Sequence, residues 1–364
     1  MIFSPMFSHL SLAFLLAIFA SSAAVIWFAG VKLADTTDIL SSRLHMGKAL
    51  GGVIVLAIAT NLPEIAITVS AALAGELGIA VGNILGGIAI QTVVLVAMDI
   101  AMKEKIPLSY RAASLSLVIE AVLVIAVLIV AIMSTQLPGS LIAARLTPGT
   151  VLITLIWIGG VWLSSRAADS LPWHERSGNA PDSQDNPKGH SRGVKDSASA
   201  GRSESTARVI IVFVVAAVVT LVAGVLLERS GEAVAKSIGL SGVLFGATVL
   251  AAATALPELS TGITSVRMKD YQLAISDIFG GNAFLPVLFL LAVLISGKAV
   301  LPDAQASDIY LAGLGILLTC VYAAGLIFRP KRQFLGMGID SIIVLILYVA
   351  GTAGLFAISS AHPS

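Results

Sequence analysis

Charged side chains are scarce in this 364-residue chain, at 12% of all residues. A soluble domain carries about twice that share. With 57% of residues hydrophobic, too little polar surface remains for a water-facing exterior. A cytosolic enzyme and a disordered scaffold are both excluded. An excess of one charge sign is missing too. Against 21 Asp and Glu stand 22 Lys and Arg, a net charge of +1, so there is no basic bulk for nucleic acid. The single cysteine, Cys320, lies in an apolar run. That rules out a disulfide framework within the chain and reads as lipid-facing or core packing. His9, His45, His174, His190 and His362 fall near segment ends or in loops, and no HExxH or GxSxG pattern occupies an apolar run. An intramembrane enzyme would lack its nucleophile, its base and its metal ligands.

What is abundant is apolar runs of about 20 residues, the length that crosses a bilayer as a helix. Ten are present, at about 9–30, 46–73, 78–101, 112–133, 146–165, 208–228, 240–266, 271–296, 308–328 and 337–359. The first lacks a basic leading region and a clear cleavage site, so it reads as a span rather than a signal peptide. If the N-terminus lies outside, the inward loops hold 18 of the 22 Lys and Arg; the outward side keeps Arg145, Arg229, Lys236 and Lys298. That asymmetry places both termini outside the cytoplasm.

Residues 166–207 are rich in Ser, Gly, Asp and Pro and nearly free of aliphatic side chains. They read as a flexible cytoplasmic linker. The chain thus divides into a first five-helix half at 1–165, the linker, and a second half at 208–364. The halves repeat each other. "LAIATNLPEIAITVSAALAGELGIAVGNILGG" at 56–87 aligns without a gap on "LAAATALPELSTGITSVRMKDYQLAISDIFGG" at 250–281, an offset of 194. The same offset pairs Gly30 with Gly224 and Gly52 with Gly246. The repeated cores span about 46–101 and 240–296. An odd number of crossings per half inverts the second half relative to the first, the architecture of secondary transporters. The fold class is all-α: a polytopic membrane protein of ten helices in two inverted five-helix repeats.

Glu64 and Glu258 lie mid-span at equivalent positions. A lone ionised carboxylate there costs several kcal/mol, which makes an intramembrane acid a functional candidate. Pro63 and Pro257 precede them. Each proline removes an N–H and frees the carbonyl four residues back, Ala59 in one half and Ala253 in the other. Freed carbonyls at membrane depth persist where something satisfies them. Thr60 and Thr254 stand one turn before the acids, on the same helix face. Each half thus offers a carboxylate, a hydroxyl and a carbonyl, all oxygen, as hard cations such as Ca²⁺ require. Neither histidine nor cysteine joins the set, which argues against a soft metal. In the following helices Gly82, Gly86, Gly87, Gly280 and Gly281 permit close packing. Gln91 could add an amide oxygen where its counterpart Leu285 cannot. Asn83 and Asp277 form another repeat-related pair, read as second-layer, helix-start or ligand groups.

These residues resemble the Ca²⁺:cation antiporter superfamily, and within it the sodium/calcium exchanger branch. The repeats of that family read Gly-Thr-Ser-Leu-Pro-Glu followed by a Gly-Asn-x-x-Gly-Ser helix; here they are "ATNLPE" and "ATALPE", then "VGNILGG" and "ISDIFGG". The resemblance covers nearly all the chain outside the linker. It implies a ten-helix antiporter expelling Ca²⁺ against inward Na⁺ or H⁺. In its terms Glu64 and Glu258 are the central ligands, and Thr60 and Thr254 help bind Na⁺. It further implies no resident cofactor, inorganic cations and the lipid bilayer as partners, no obligate protein partner, and a plasma membrane location that suits a bacterial inner membrane.

The departures matter as much. The family's Ser after Thr is Asn61 in one half and Ala255 in the other, and the Ser of Gly-Ser is Gly87 and Gly281. The polar pair one turn later is Gln91 and Leu285. Sodium-type ligands are lost while both glutamates remain. Two close carboxylates in low dielectric resist ionising together, so protons compete with the metal at one site. H⁺ is then a candidate counter-ion beside Na⁺. A monovalent cation/H⁺ exchanger and an ion-binding descendant without full exchange are the alternatives.

Overall fold

A computed structural model describes residues 7, 10–43, 58–102, 104–169, 205–239 and 245–361. It is all-α apart from one short hairpin. The first half contains α1 (Leu12–Arg43), α2 (Leu62–Ala74), α3 (Leu77–Met102), α4 (Leu108–Ala112), α5 (Leu115–Thr135) and α6 (Pro148–Asp169). The second begins with α7 (Thr206–Ile238) and a π-helical turn, Gly246–Leu250, that runs into α8 (Ala251–Thr254). There follow α9 (Leu256–Arg267), α10 (Tyr271–Phe284), α11 (Leu288–Ser296), α12 (Ala306–Phe328) and α13 (Ile339–Ala361). The hairpin of β1 (Gln333–Phe334) and β2 (Met337–Gly338) turns α12 into α13.

Among the described residues, seven helical segments are long and apolar enough to cross a bilayer, α10 and α11 together forming one of them. The bent pair α8–α9 makes one more span, and the shorter apolar helices α2 and α6 occupy the remaining two expected positions. The protein is an integral membrane protein. Most of the expected linker, all five histidines and Gly52 lie outside the described residues, as does 44–57 of the second expected span.

Three spans differ from the sequence expectation. α1 and α7 run past positions 30 and 228, where the apolar runs end. In α7 the extra turns carry Arg229, Glu232 and Lys236. Spaced three and four residues apart, these charges pair along the helix, Arg229–Glu232 at 3.8 Å and Lys236–Glu232 at 2.5 Å, and prolong it rather than end it. Gly239, at φ 70°, stops it in the left-handed conformation that glycine adopts without strain. The eighth span is not continuous. Pro286 sits in a 3₁₀ turn, Leu285–Val287, between α10 and α11.

The two halves interlock by a twofold rule. α1 packs on α9 as α7 packs on α2; α3 packs on α12 as α10 packs on α5; α5 packs on α6 as α12 packs on α13. Exchanging the halves leaves this pattern unchanged. The interior belongs to α3 and α10–α11, whose residues are mostly buried, while α1 and α7 expose Phe14, Phe28, Ile211 and Val222 to the lipid side. Gly30 and Gly224 are the closest expression of the symmetry. A Cβ on Gly30 would lie 2.8 Å from Pro257 Cβ, and one on Gly224 would lie 3.3 Å from the Pro63 backbone. Each outer helix is therefore seated on the other half's Thr-x-Leu-Pro-Glu segment.

Overpacking of this kind costs about 1–3 kcal/mol. Gly30→Val is expected to lower the thermal-unfolding midpoint in detergent, and Gly159→Val, which faces open space, to leave it in place. Equal midpoints for the two variants would refute the seating.

Candidate cation site

The paired motifs break their helices rather than merely kinking them. Helical residues 58–60 are followed by Asn61 at φ −86°, ψ 17°, and α8 is followed by Ala255 at φ −77°, ψ 3°. Helix restarts at Leu62 and at Leu256, with Pro63 and Pro257 in the first turn, where a missing N–H costs nothing. The second break bends the span by 49°. The carbonyls of Ala59 and Ala253 lose their usual donor four residues on, as expected. The break adds something a kink would not: Glu64 and Glu258 fall in the first turn of a half-helix, at the positive end of its dipole.

Both acids are completely buried. None of their four oxygens has a hydrogen-bond partner, and among the described residues no Lys or Arg pairs with either. The two carboxylates are close enough to repel each other. Their neighbours cross over between halves. Thr254 and Gln91 stand beside Glu64, and Thr60 stands beside Glu258. The expected residues are thus brought together, each acid flanked by the other half's threonine.

Asn61 and Gln91 belong to the same cluster. The Gln91 amide donates to Asn61 Oδ1 at 3.3 Å, and Gln91 Oε1, buried, makes no hydrogen bond. A Cβ on Gly281 would lie 3.0 Å from Asn61 Nδ2 and 3.7 Å from Gln91 Oε1. The Asn61 amide therefore fills the volume in which a side chain at 281 would stand. The opposite wall is apolar. Ala255 and Leu285 hold the equivalent positions, and a Cβ on Gly87 would meet Leu285 Cδ1 at 3.7 Å. A cross-half bond runs from Asn282 Nδ2 to Thr92 Oγ1 at 3.1 Å.

Asp277 is more central than its sequence position suggests. Thr261, one turn beyond Glu258, donates its hydroxyl to Asp277 Oδ2 at 2.7 Å, and the Asp277 charge reaches Glu258. The equivalent residues in the first half are Ile67 and Asn83. One side of the site therefore holds a third carboxylate that the other lacks. Sequence reasoning missed Thr261, because its contact with Asp277 required two helices to be placed together.

The family model described as "Sodium/calcium exchanger protein" matches residues 14–165 and 208–356. The chain belongs to this family. Its members are antiporters rather than enzymes. The exchanger is 22% identical over 286 residues to "Putative antiporter CaxA" of Alkalimonas amylolytica, covering 78% of this chain and 80% of that one. It is 30% identical over 120 residues to "Inner membrane protein YrbG" of Escherichia coli K12, covering 33% and 36%. Its fold is that of the H⁺/Ca²⁺ exchanger CAX, with a TM-score of 0.65 at 14% identity over 95% of this chain and 88% of that one. It is also that of the sodium–calcium exchanger NCX_Mj, with a TM-score of 0.60 at 14% identity over 94% and 99%.

An oxygen-rich cluster built from both halves and buried against lipid can strip a hard cation of water and replace its shell. Gln91→Leu removes an amide that donates to Asn61 within this cluster. It is expected to raise the half-saturating cation concentration up to about tenfold, the scale of one lost buried hydrogen bond. Flux titration in proteoliposomes measures it; an unchanged value would remove Gln91 from the binding shell.

Proposed function

We propose that this exchanger exports Ca²⁺ by alternating access, with the ion held between Glu64 and Glu258 and H⁺ as the returning ion. The observation that carries the reading is the pair itself: two buried carboxylates, one from each inverted half, with no Lys or Arg paired to them among the described residues. One Ca²⁺ neutralises two carboxylates. Thr60, Thr254, Gln91, Asn61 and the carbonyls of Ala59 and Ala253 supply further oxygen ligands. With the metal gone, the empty doubly charged site is costly in low dielectric, so protons take its place before the halves rock back. Mutual exclusion at one site couples the two flows. H⁺ is favoured over Na⁺ because Gly87, Gly281, Asn61 and Ala255 replace hydroxyl ligands that a sodium-type site uses. The positive-inside count supports both termini outside the cytoplasm.

The apolar wall of Ala255 and Leu285 favours one second reading, exchange of a monovalent cation for H⁺. It lowers the polarity of one side of the site, which suits a singly charged ion better than a doubly charged one.

Flux into proteoliposomes under an imposed pH gradient, without Na⁺, tests the proposal. Ca²⁺ uptake is expected, and Glu64→Gln or Glu258→Gln is expected to reduce it about 100-fold or more, since each leaves a buried charge unpaired at a cost of about 3 kcal/mol. Uptake that needs Na⁺ and ignores the pH gradient would overturn the proton half. Uptake of K⁺ or Na⁺ with no Ca²⁺ flux would select the second reading.

A further inference from the structure

Away from the central site, a second pair of buried acids lacks a counter-charge among the described residues. Asp99, on α3, and Asp340, in the first turn of α13, are 1% and 4% exposed. They meet where the segment before α4, the end of α12 and the β1–β2 hairpin converge. Asp99 is held from three directions. Its Oδ1 accepts from Leu108 N–H at 2.8 Å, and its Oδ2 accepts from Gly338 N–H at 2.7 Å and from the Ser341 hydroxyl at 2.8 Å. The Tyr322 hydroxyl lies 3.1 Å from Ser341 Oγ. Three converging donors suit an ionised carboxylate.

Asp340 is not held in this way. Its side chain fits between the backbones of Gly325 and Gly338, where a Cβ on either glycine would collide with it. Neither of its oxygens has a hydrogen-bond partner. The Ser109 hydroxyl, 1% exposed, is turned toward Asp340 and makes no hydrogen bond of normal geometry. Among the described residues, no Lys or Arg pairs with Asp99 or Asp340. Two nearby cations face Tyr110: Arg329 donates to the Tyr110 carbonyl at 3.2 Å and stacks over its ring at 4.6 Å, and Lys331 lies 5.3 Å from the same ring. The cluster of Glu76, Glu228 and Glu232 differs in kind. Arg229 lies 3.3, 3.2 and 3.8 Å from those three acids, and Lys236 joins Glu232, so its charge is largely neutralised from within.

Two buried acids without a cation cost several kcal/mol of desolvation and mutual repulsion. We propose that Asp99 and Asp340, with the Ser109 and Ser341 hydroxyls, form a second cation site that takes a hard divalent ion of the Ca²⁺ class. Charge sets the valence, since one divalent ion neutralises the pair. Oxygen-only ligands set the class. An ion here joins α3 to α4 and α13 at the end of the molecule where, by alternate crossing, the linker attaches. Asp99 lies about two turns along α3 from Gln91. Occupancy therefore bears on the helix that lines the central site, while the binding itself does not depend on Glu64 or Glu258.

The full-length Glu64→Gln/Glu258→Gln double variant, in detergent, separates the two sites. Radiolabelled Ca²⁺ binding is expected to show about one ion per chain remaining, with a Ca²⁺-dependent rise in unfolding temperature. Adding Asp340→Asn is expected to abolish both signals. If that variant does not purify folded, Ser109→Ala is expected to weaken the residual binding about tenfold. No residual binding in the double variant overturns the second site, as does residual binding that both substitutions leave unchanged. The difference between wild type and double variant reports the central pair by itself, so either site can fail without the other.

Discussion

Everything in this exchanger is arranged around the cost of keeping acid side chains at membrane depth. Hydrocarbon offers no water to solvate a carboxylate, and an isolated one costs several kcal/mol. The protein concentrates Glu64, Glu258 and Asp277 instead of dispersing them. It sets the two glutamates at the positive ends of half-helices, with hydroxyls and an amide nearby. What remains is a pair of buried carboxyl groups without hydrogen-bond partners, a cost that the cation of the proposed function would relieve. A fully satisfied network would be more stable and would have no use for cargo.

Broken helices supply both ingredients of this environment. Proline in the first turn allows the chain to leave helical geometry at Asn61 and Ala255 without burying an idle N–H. The break exposes carbonyls on one side and N–H groups on the other, within a protein interior that can tolerate irregular backbone. Closure then comes from the partner half. Gly30 admits Pro257, Gly224 admits Pro63, and each glutamate meets the opposite threonine. Neither half has a complete site without the other. In the proposed exchange cycle, movement of one half against the other would alter access while the shared ligands stay together.

The departures from symmetry are concentrated where chemistry is decided. Asn61 and Gln91 face Ala255 and Leu285 across the site, and Asp277 with Thr261 faces Asn83 with Ile67. Pseudo-symmetric packing needs only matching volumes, so it tolerates such swaps. Ligand sets do not, because each swap adds or removes an oxygen. The scaffold has remained twofold while the site has become one-sided, polar along one wall and apolar along the other.

Sequence alone determined the membrane class, the ten spans, the repeat at offset 194 and the two glutamates with their threonines. All of these follow from local signals: apolar length, repetition, and the anomaly of acid in an apolar run. Proline spacing marked the disruption, yet a kink and a break into half-helices share one sequence signature, and only the backbone distinguished them. The lengths of α1 and α7 escaped an apolar ruler because paired charges extend a helix beyond the lipid-like run. Tertiary structure alone placed Thr254 against Glu64, Asn61 in the space beside Gly281, Asp277 near Glu258, and Asp99 against Asp340. Those contacts join residues 19 to 241 positions apart, and no periodicity within a helix encodes which face of a distant helix it will meet. That choice is made by packing between the two inverted halves, where glycine seats and side-chain volumes select one register.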